Sequence, residues 1–235
     1  MKILAIECSE APASCAVFDD ESGLTLCESF ASVGLTHSRT LMPMVGSMLK
    51  NAELDLKSID RFAVSVGPGS FTGLRIGIAA VKGMALGTGK ECVGVSTLHA
   101  AAFGAVGLKG IICPVMDARC NQVYNALFYC DGASLRRICD DRALMIDELG
   151  RDLESKAAEY AGEDIIVTGN AADLVMGRLK GVPNLKAAPR HVRSQRASYV
   201  AAISGGYESA SGDKLLPTYL RLPQAERELK KRTQG

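Results

Sequence analysis

Although the chain holds eight cysteines, no two of them form a C-x-x-C pair, and that spacing argues against a structural zinc site or a redox dithiol. Cys8, Cys15, Cys27, Cys92, Cys113, Cys120, Cys130 and Cys139 are spread out, several of them in strand-like runs where a reduced thiol acts as a small hydrophobe. A reducing, cytoplasmic setting is expected. Histidine is scarce too: His37, His99 and His191 are the full set. His37 is followed four residues later by Leu41, so no helical pair of imidazoles can share a metal, and no metal site is expected. Only four apolar residues precede Glu7, too few for a signal peptide. Arg75 and Lys82 interrupt the most apolar segment, so a membrane span of roughly 20 residues is excluded. Net charge is +1 with no basic stripe, which removes the footprint of an autonomous nucleic-acid binder. Basic residues gather only at 190–196 and 227–232, read here as solvated surface. Neither G-x-x-x-x-G-K-[ST] nor G-x-G-x-x-G occurs, and Ser65, Ser70 and Ser96 lack a G-x-S-x-G setting. No catalytic residue is assigned.

What is present centres on 64–89. Phe62 to Val66 reads as a strand, and Gly67-Pro68-Gly69-Ser70 as a tight turn into a helix from Gly73 with Thr72 as its cap. Unpaired N–H groups there either hold an anion, with Gly67, Gly69 and Ser70 as the candidate cofactor-binding residues, or simply punctuate the chain. The helix carries too much apolar surface for one wet face, and Gly73/Gly77 and Gly83/Gly87 line up in pairs where a neighbour can come close. Upstream, Leu41, Met44, Val45, Met48, Leu49 and Ala52 have amphipathic-helix spacing, with Pro43 tolerated in a first turn capped near Thr40. The two helices are either central in their own domain or a partner interface. Leu41, Val45, Met48, Leu74, Ile78, Val81 and Ala85 are the interface candidates.

Periodicity places strands at 2–6, 14–18, 24–30, 62–66 and 92–95, a mixed α/β sheet of the ribonuclease-H type. A short helix at 100–107 leads to a second unit, a truncated echo of the first, with strands near 110–116, 122–129 and 164–168 and helices near 147–160 and 170–180. A further helix is expected over 198–210. The domain reading is an N-terminal lobe of 1–100 plus about 196–220, a smaller lobe of 101–195, and a loose tail over 221–235.

Five segments together, KILAIECSE, THSRTLMPMV, VSVGPGSFTGLRIGIAAVKGMA, MDARCNQVY and PTYLRLPQAE, resemble the bacterial TsaB (YeaZ) family along nearly the whole chain. The resemblance implies an actin-like (ASKHA, ribonuclease-H-like) fold. It further implies a non-catalytic scaffold that dimerises with the TsaD catalytic subunit in making threonylcarbamoyladenosine in tRNAs reading ANN codons. A TsaE-like ATPase would complete the assembly, and tRNA would be met only within the complex. No intrinsic cofactor is implied, while ATP or ADP at a partner interface and a homodimer of the lone chain are both allowed. Where family members show Asp-Thr-Ser at the first strand end, this chain has Glu7-Cys8-Ser9, which weakens phosphate chemistry. Asp117 and Arg119 match the family's DAR segment and read first as an ion pair or hydrogen-bonded turn, second as a substrate contact. Two other classes stay open: an actin-like nucleotide-binding enzyme, motivated by Glu7 and the glycine turn, and a metal-dependent glycoprotease-type peptidase.

Overall fold

The computed structural model describes residues 1–34 and 36–221. The expected tail and its basic cluster at 227–232 lie outside the described residues, apart from Arg221.

The chain opens with β1 (Lys2–Glu7), β2 (Ala13–Asp19) and β3 (Leu24–Ala31), then α1 (His37–Asn51), β4 (Arg61–Gly67), α2 (Phe71–Thr88), β5 (Glu91–Ser96) and α3 (Thr97–Phe103). The pattern then repeats as β6 (Gly110–Asp117), β7 (Gln122–Cys130), β8 (Leu135–Met145), α4 (Ile146–Glu159), β9 (Ile165–Thr168), α5 (Ala172–Arg178), β10 (Leu185–Ala187) and α6 (Ala197–Ile203), followed by β11 (Ser209–Ala210). One sheet has the order β11-β5-β4-β1-β2-β3 and the other β10-β9-β6-β7-β8. β1 runs antiparallel to β2 and parallel to β4, and β6 bears the same relations to β7 and β9. Leaving aside β11, the two sheets therefore have one topology, which is the actin-like, ribonuclease-H-like arrangement.

Strand alternation sends successive residues to opposite faces. Leu4, Ile6, Cys15 and Val17 pack under α1 and α2, whereas Ile3, Ala5, Ala16 and Phe18 pack under α6. In the second sheet Ile111, Cys113 and Val115 meet α4 and α5, while Ile112 and Met116 meet α3. The last helix of each repeat thus leaves its own lobe. Leu98 and Ala102 of α3 sit in the core over β6 and β7, and Ala100 of the same helix joins the core that holds α6. α6, in turn, is fixed to the first sheet by the Ser14 hydroxyl, which accepts from Ala197 N–H at 2.8 Å, and by Glu28, which pairs with Arg196 at 2.8 Å and accepts from Ser198.

Several local expectations change. α1 begins after Thr36, so Pro43 stands inside the helix, where its ring removes the N–H that would bond Arg39; both residues are exposed and water can serve that carbonyl. α2 is capped by Ser70, whose hydroxyl accepts from Gly73 N–H at 3.2 Å, and not by Thr72. The helix expected over 100–107 is α3, three residues earlier, and the one expected over 198–210 stops at Ile203, after which Ser209 and Ala210 pair with β5. β8 was not foreseen: Arg136, Arg137, Asp140, Asp141 and Arg142 hide its periodicity, as suits a partly exposed edge strand.

Candidate functional site

The Gly67-Pro68-Gly69-Ser70 turn is filled by the protein itself. Gly67 has φ +132°, and a Cβ there would come within 2.3 Å of the Thr218 carbonyl oxygen. At Gly69 it would meet the Ser9 carbonyl oxygen at 2.6 Å, and Ser70 N–H already donates to that oxygen at 2.7 Å. These glycines admit backbone, so the turn is a packing junction between the end of β1, the start of α2 and the segment around Thr218. The same holds at Gly73, where a Cβ would lie 2.0 Å from the Cys8 carbonyl oxygen.

Beside the junction lies a cleft of about 680 Å³ between the two sheets. One wall is the first turn of α2 with His37; the other is the β6–β7 turn with Arg119 and Tyr124, and Ser9 and Glu10 line it from the β1–β2 connection. Glu7, at the end of β1, is sealed beneath: one oxygen accepts from Ser9 N–H at 2.5 Å, the other from the Ser65 hydroxyl. Burial pushes its carboxyl above the usual range and the Ser65 bond opposes this. The Ser9 hydroxyl is close enough to favour the Glu7 charge, yet makes no hydrogen bond. Glu10 is 8 % exposed and its Oε1 has no hydrogen-bond partner. Burial, with the Glu7 charge second, moves its pKa up to about 8. Gln195 lies beside it, and neither polar atom of that carboxamide is hydrogen-bonded.

The β6–β7 turn is strained and well held. Arg119, Cys120 and Asn121 have φ of 66°, 55° and 58°, a left-handed run that disfavours side-chain-bearing residues by about 1–2 kcal/mol each. Arg119 N–H donates to Asp117 Oδ1 at 2.7 Å, so the segment is a hydrogen-bonded turn and not an ion pair. Asn170 accepts from Asp117 N–H at 2.9 Å, Arg178 donates to the Asn121 side chain at 3.2 Å, Ile146 N–H donates to the Asn121 carbonyl at 3.1 Å, and Arg221 donates to the Ala118 carbonyl. Thr218 N–H bonds Val66 O at 2.7 Å, and Tyr219 stacks on Phe71 with centroids 5.0 Å apart, so residues 218–221 bridge the lobes across the rim of the cleft.

The second candidate surface is the outer side of α1 and α2. All seven residues read from sequence as the interface, Leu41, Val45, Met48, Leu74, Ile78, Val81 and Ala85, are buried in the chain's own core. They pin the helices to the sheet and cannot meet a partner. Periodicity had located the apolar face without saying what covers it. The exposed apolar and glycine positions are Met42, Pro43 and Gly46 on α1 and Ala79, Gly83, Leu86 and Gly87 on α2, with Leu86 87 % exposed. A Cβ added at Gly46, Gly83 or Gly87 would touch nothing. Among the described residues no three His, Cys, Asp or Glu side chains could hold a metal together, and no helix is long and apolar enough to cross a membrane.

A family model described as TsaD, tRNA N6-adenosine threonylcarbamoyltransferase, matches residues 32–205. The tRNA threonylcarbamoyladenosine biosynthesis protein TsaB of Bacillus subtilis is 29 % identical over 228 residues, 96 % of either chain. Its Escherichia coli counterpart is 32 % identical over 185 residues, 77 % of this chain and 78 % of that one. The structure of YeaZ from Pseudomonas aeruginosa superposes with a TM-score of 0.75 at 24 % identity, covering 93 % of this chain and 99 % of the other. Near-complete coverage of curated TsaB proteins, the match to the related TsaD model and the doubled topology agree: this chain belongs to the TsaB (YeaZ) family of tRNA threonylcarbamoyladenosine biosynthesis proteins.

Proposed function

We propose that this chain serves threonylcarbamoyladenosine synthesis as a docking subunit, binding a TsaD-family catalytic subunit through the outer faces of α1 and α2 and meeting tRNA only in that complex. The observation that carries this reading is the stripe Ala79, Gly83, Leu86 and Gly87, where small residues let another helix approach closely and Leu86 offers an uncovered apolar side chain. Met42 extends the stripe onto α1 with an adaptable thioether side chain. A partner of the same fold is supported by the chain's match to the catalytic family's own model, since related folds can join through equivalent helices as a pseudo-symmetric pair.

The test is light scattering of the chain alone and mixed with the TsaD-like protein of the same cell, alongside threonylcarbamoyl transfer to tRNA. The wild type should form a heterodimer and transfer should require both chains. Gly83→Glu with Leu86→Glu, both exposed, should leave the thermal midpoint no lower than that of the wild type while abolishing the heterodimer and transfer. A double variant that still binds its partner would overturn the assignment of this face.

A further inference from the structure

We propose that the outward face of α1 and α2 is a cationic recognition surface, selecting a partner whose docking helices carry carboxylates and rejecting a second copy of this chain. The proposal rests on the docking reading above and adds to it the chemistry of the partner. In the whole chain 26 Asp and Glu nearly balance 27 Lys and Arg. Neither the 15-residue α1 nor the 18-residue α2 contains a carboxylate, while Arg39, Lys50, Arg75 and Lys82 all belong to them. Scattered in sequence, these cations form no basic run; the fold gathers them where α1 and α2 lie together on one side of the first sheet. No salt bridge among the described residues includes any of the four.

Helical spacing sets the cations in line with the docking stripe. Arg39, Met42, Gly46 and Lys50 are exposed and three or four residues apart, as are Arg75, Ala79, Gly83 and Leu86. A guanidinium therefore heads the apolar stretch of each helix on its outward side. Arg75 is held ready for a partner: its Nε donates to the Tyr219 hydroxyl at 2.9 Å, and its Cζ lies 3.9 Å from the centre of the Phe71 ring. Its two terminal nitrogens have no acceptor among the described residues, which leaves a fork that a carboxylate can meet from outside. Asp213 approaches Lys82 from the Gly212–Lys214 turn, yet its carboxylate accepts from the Ser211 hydroxyl and Lys82 Nζ reaches only its carbonyl oxygen, at 3.4 Å.

The unbalanced charge decides between occupants. A second copy docked face to face would set these cations against their own duplicates, and like charges across an interface cost affinity. A face bearing Asp or Glu is instead steered in from a distance and paired at the rim, while the uncharged stripe excludes water at the centre. An RNA backbone would also satisfy cations, but it makes no use of Met42 and Leu86, which are 47 % and 87 % exposed. The mixture of cations and bare apolar side chains favours a protein.

The experiment measures stopped-flow association of the full chain with the TsaD-like protein of the same cell at about 50 and about 500 mM NaCl, with light scattering of the lone chain at the lower salt. The association rate should fall about tenfold at the higher salt, and the lone chain should be monomeric. At the lower salt Arg39→Glu with Arg75→Glu should slow association about tenfold. Arg39→Gln with Lys50→Gln, confined to exposed positions of α1 away from the Tyr219 contact, should slow it about threefold and covers the case in which the Arg75 change disturbs the fold. A rate that changes less than about twofold with salt, or charge variants that associate as fast as the wild type, would overturn the proposal. So would a wild-type homodimer at low salt that Leu86→Glu dissolves, or tRNA binding by the lone chain that the charge variants abolish. If the charge variants bind normally while Gly83→Glu with Leu86→Glu does not, the docking face stands and the charge selection alone fails; if that stripe variant binds too, the docking face itself is wrong.

Discussion

Adding one methyl group at two glycines of α2 should move stability in opposite directions. In an exposed helical position Gly→Ala gains about 1 kcal/mol, because glycine has the larger backbone entropy to lose. Gly83 meets that condition: it is exposed and a Cβ there would touch nothing within 4 Å. At Gly73 the same Cβ would stand 2.0 Å from the Cys8 carbonyl oxygen and 3.3 Å from His37 Nδ1. Relief needs the end of β1 and the start of α2 to part by more than an ångström, and neither contact on the β1 side is a movable side-chain tip. Overpacking of this kind costs about 3 kcal/mol at the upper end of the usual range, leaving a net loss of about 2 kcal/mol after the propensity gain. For a chain of this size that is a midpoint lowered by about 4–8 °C for Gly73→Ala and raised by about 2–4 °C for Gly83→Ala. Circular dichroism melts with urea titrations of the lone chain measure both. A Gly73→Ala protein as stable as the wild type would refute the close-approach argument, and Gly83→Ala should also weaken partner binding by crowding the stripe.

Glu10→Gln should flatten the stability–pH profile. Below pH 4.5 the wild-type carboxyl is protonated folded or unfolded; from there to about 8 only the folded state keeps the proton, so stability falls as pH rises, at up to about 1.4 kcal/mol per pH unit. The variant, with no proton to lose, should exceed the wild type in urea midpoint at pH 9 by more than at pH 5, and equal gaps would contradict the buried assignment. Thiol titration of the native chain should find one fast cysteine, Cys120, the exposed one, with all eight reacting only after denaturation. Burial raises Cys15 and Cys113 to about 12, so fast labelling of either would show that the cores open readily.

Much of the first lobe was readable because its strands are apolar runs bounded by turn residues and its two helices keep a clear 3.6-residue spacing. The outward direction of those helices was not. Leu41, Val45 and Met48 recur at interface-like spacing, but the same spacing results from a sheet lying beneath, and only tertiary placement separates the two. The glycine turn misled for a related reason. Small residues admit either a phosphate or a neighbouring backbone, and Thr218, which fills the space at Gly67, is 151 positions away in the chain. Glu10 gave no signal at all: a Glu before Ala-Pro-Ala reads as loop, and Gln195, which lies beside it in the fold, is 185 positions away in the chain. Asp117 and Arg119 were noticed as a segment, yet the three left-handed residues that lock it could not be read from Arg-Cys-Asn.

The crossing of α3 and α6 has a consequence for how the molecule is made. A ribosome releases the first hundred residues with a sheet whose α6 face is still bare alanine and isoleucine, because the helix that covers it is almost the last element to emerge. The early half must therefore wait, protected or only loosely ordered, for the late half to return to it. Neither repeat can be shortened or replaced alone, because each ends in the piece that finishes the other.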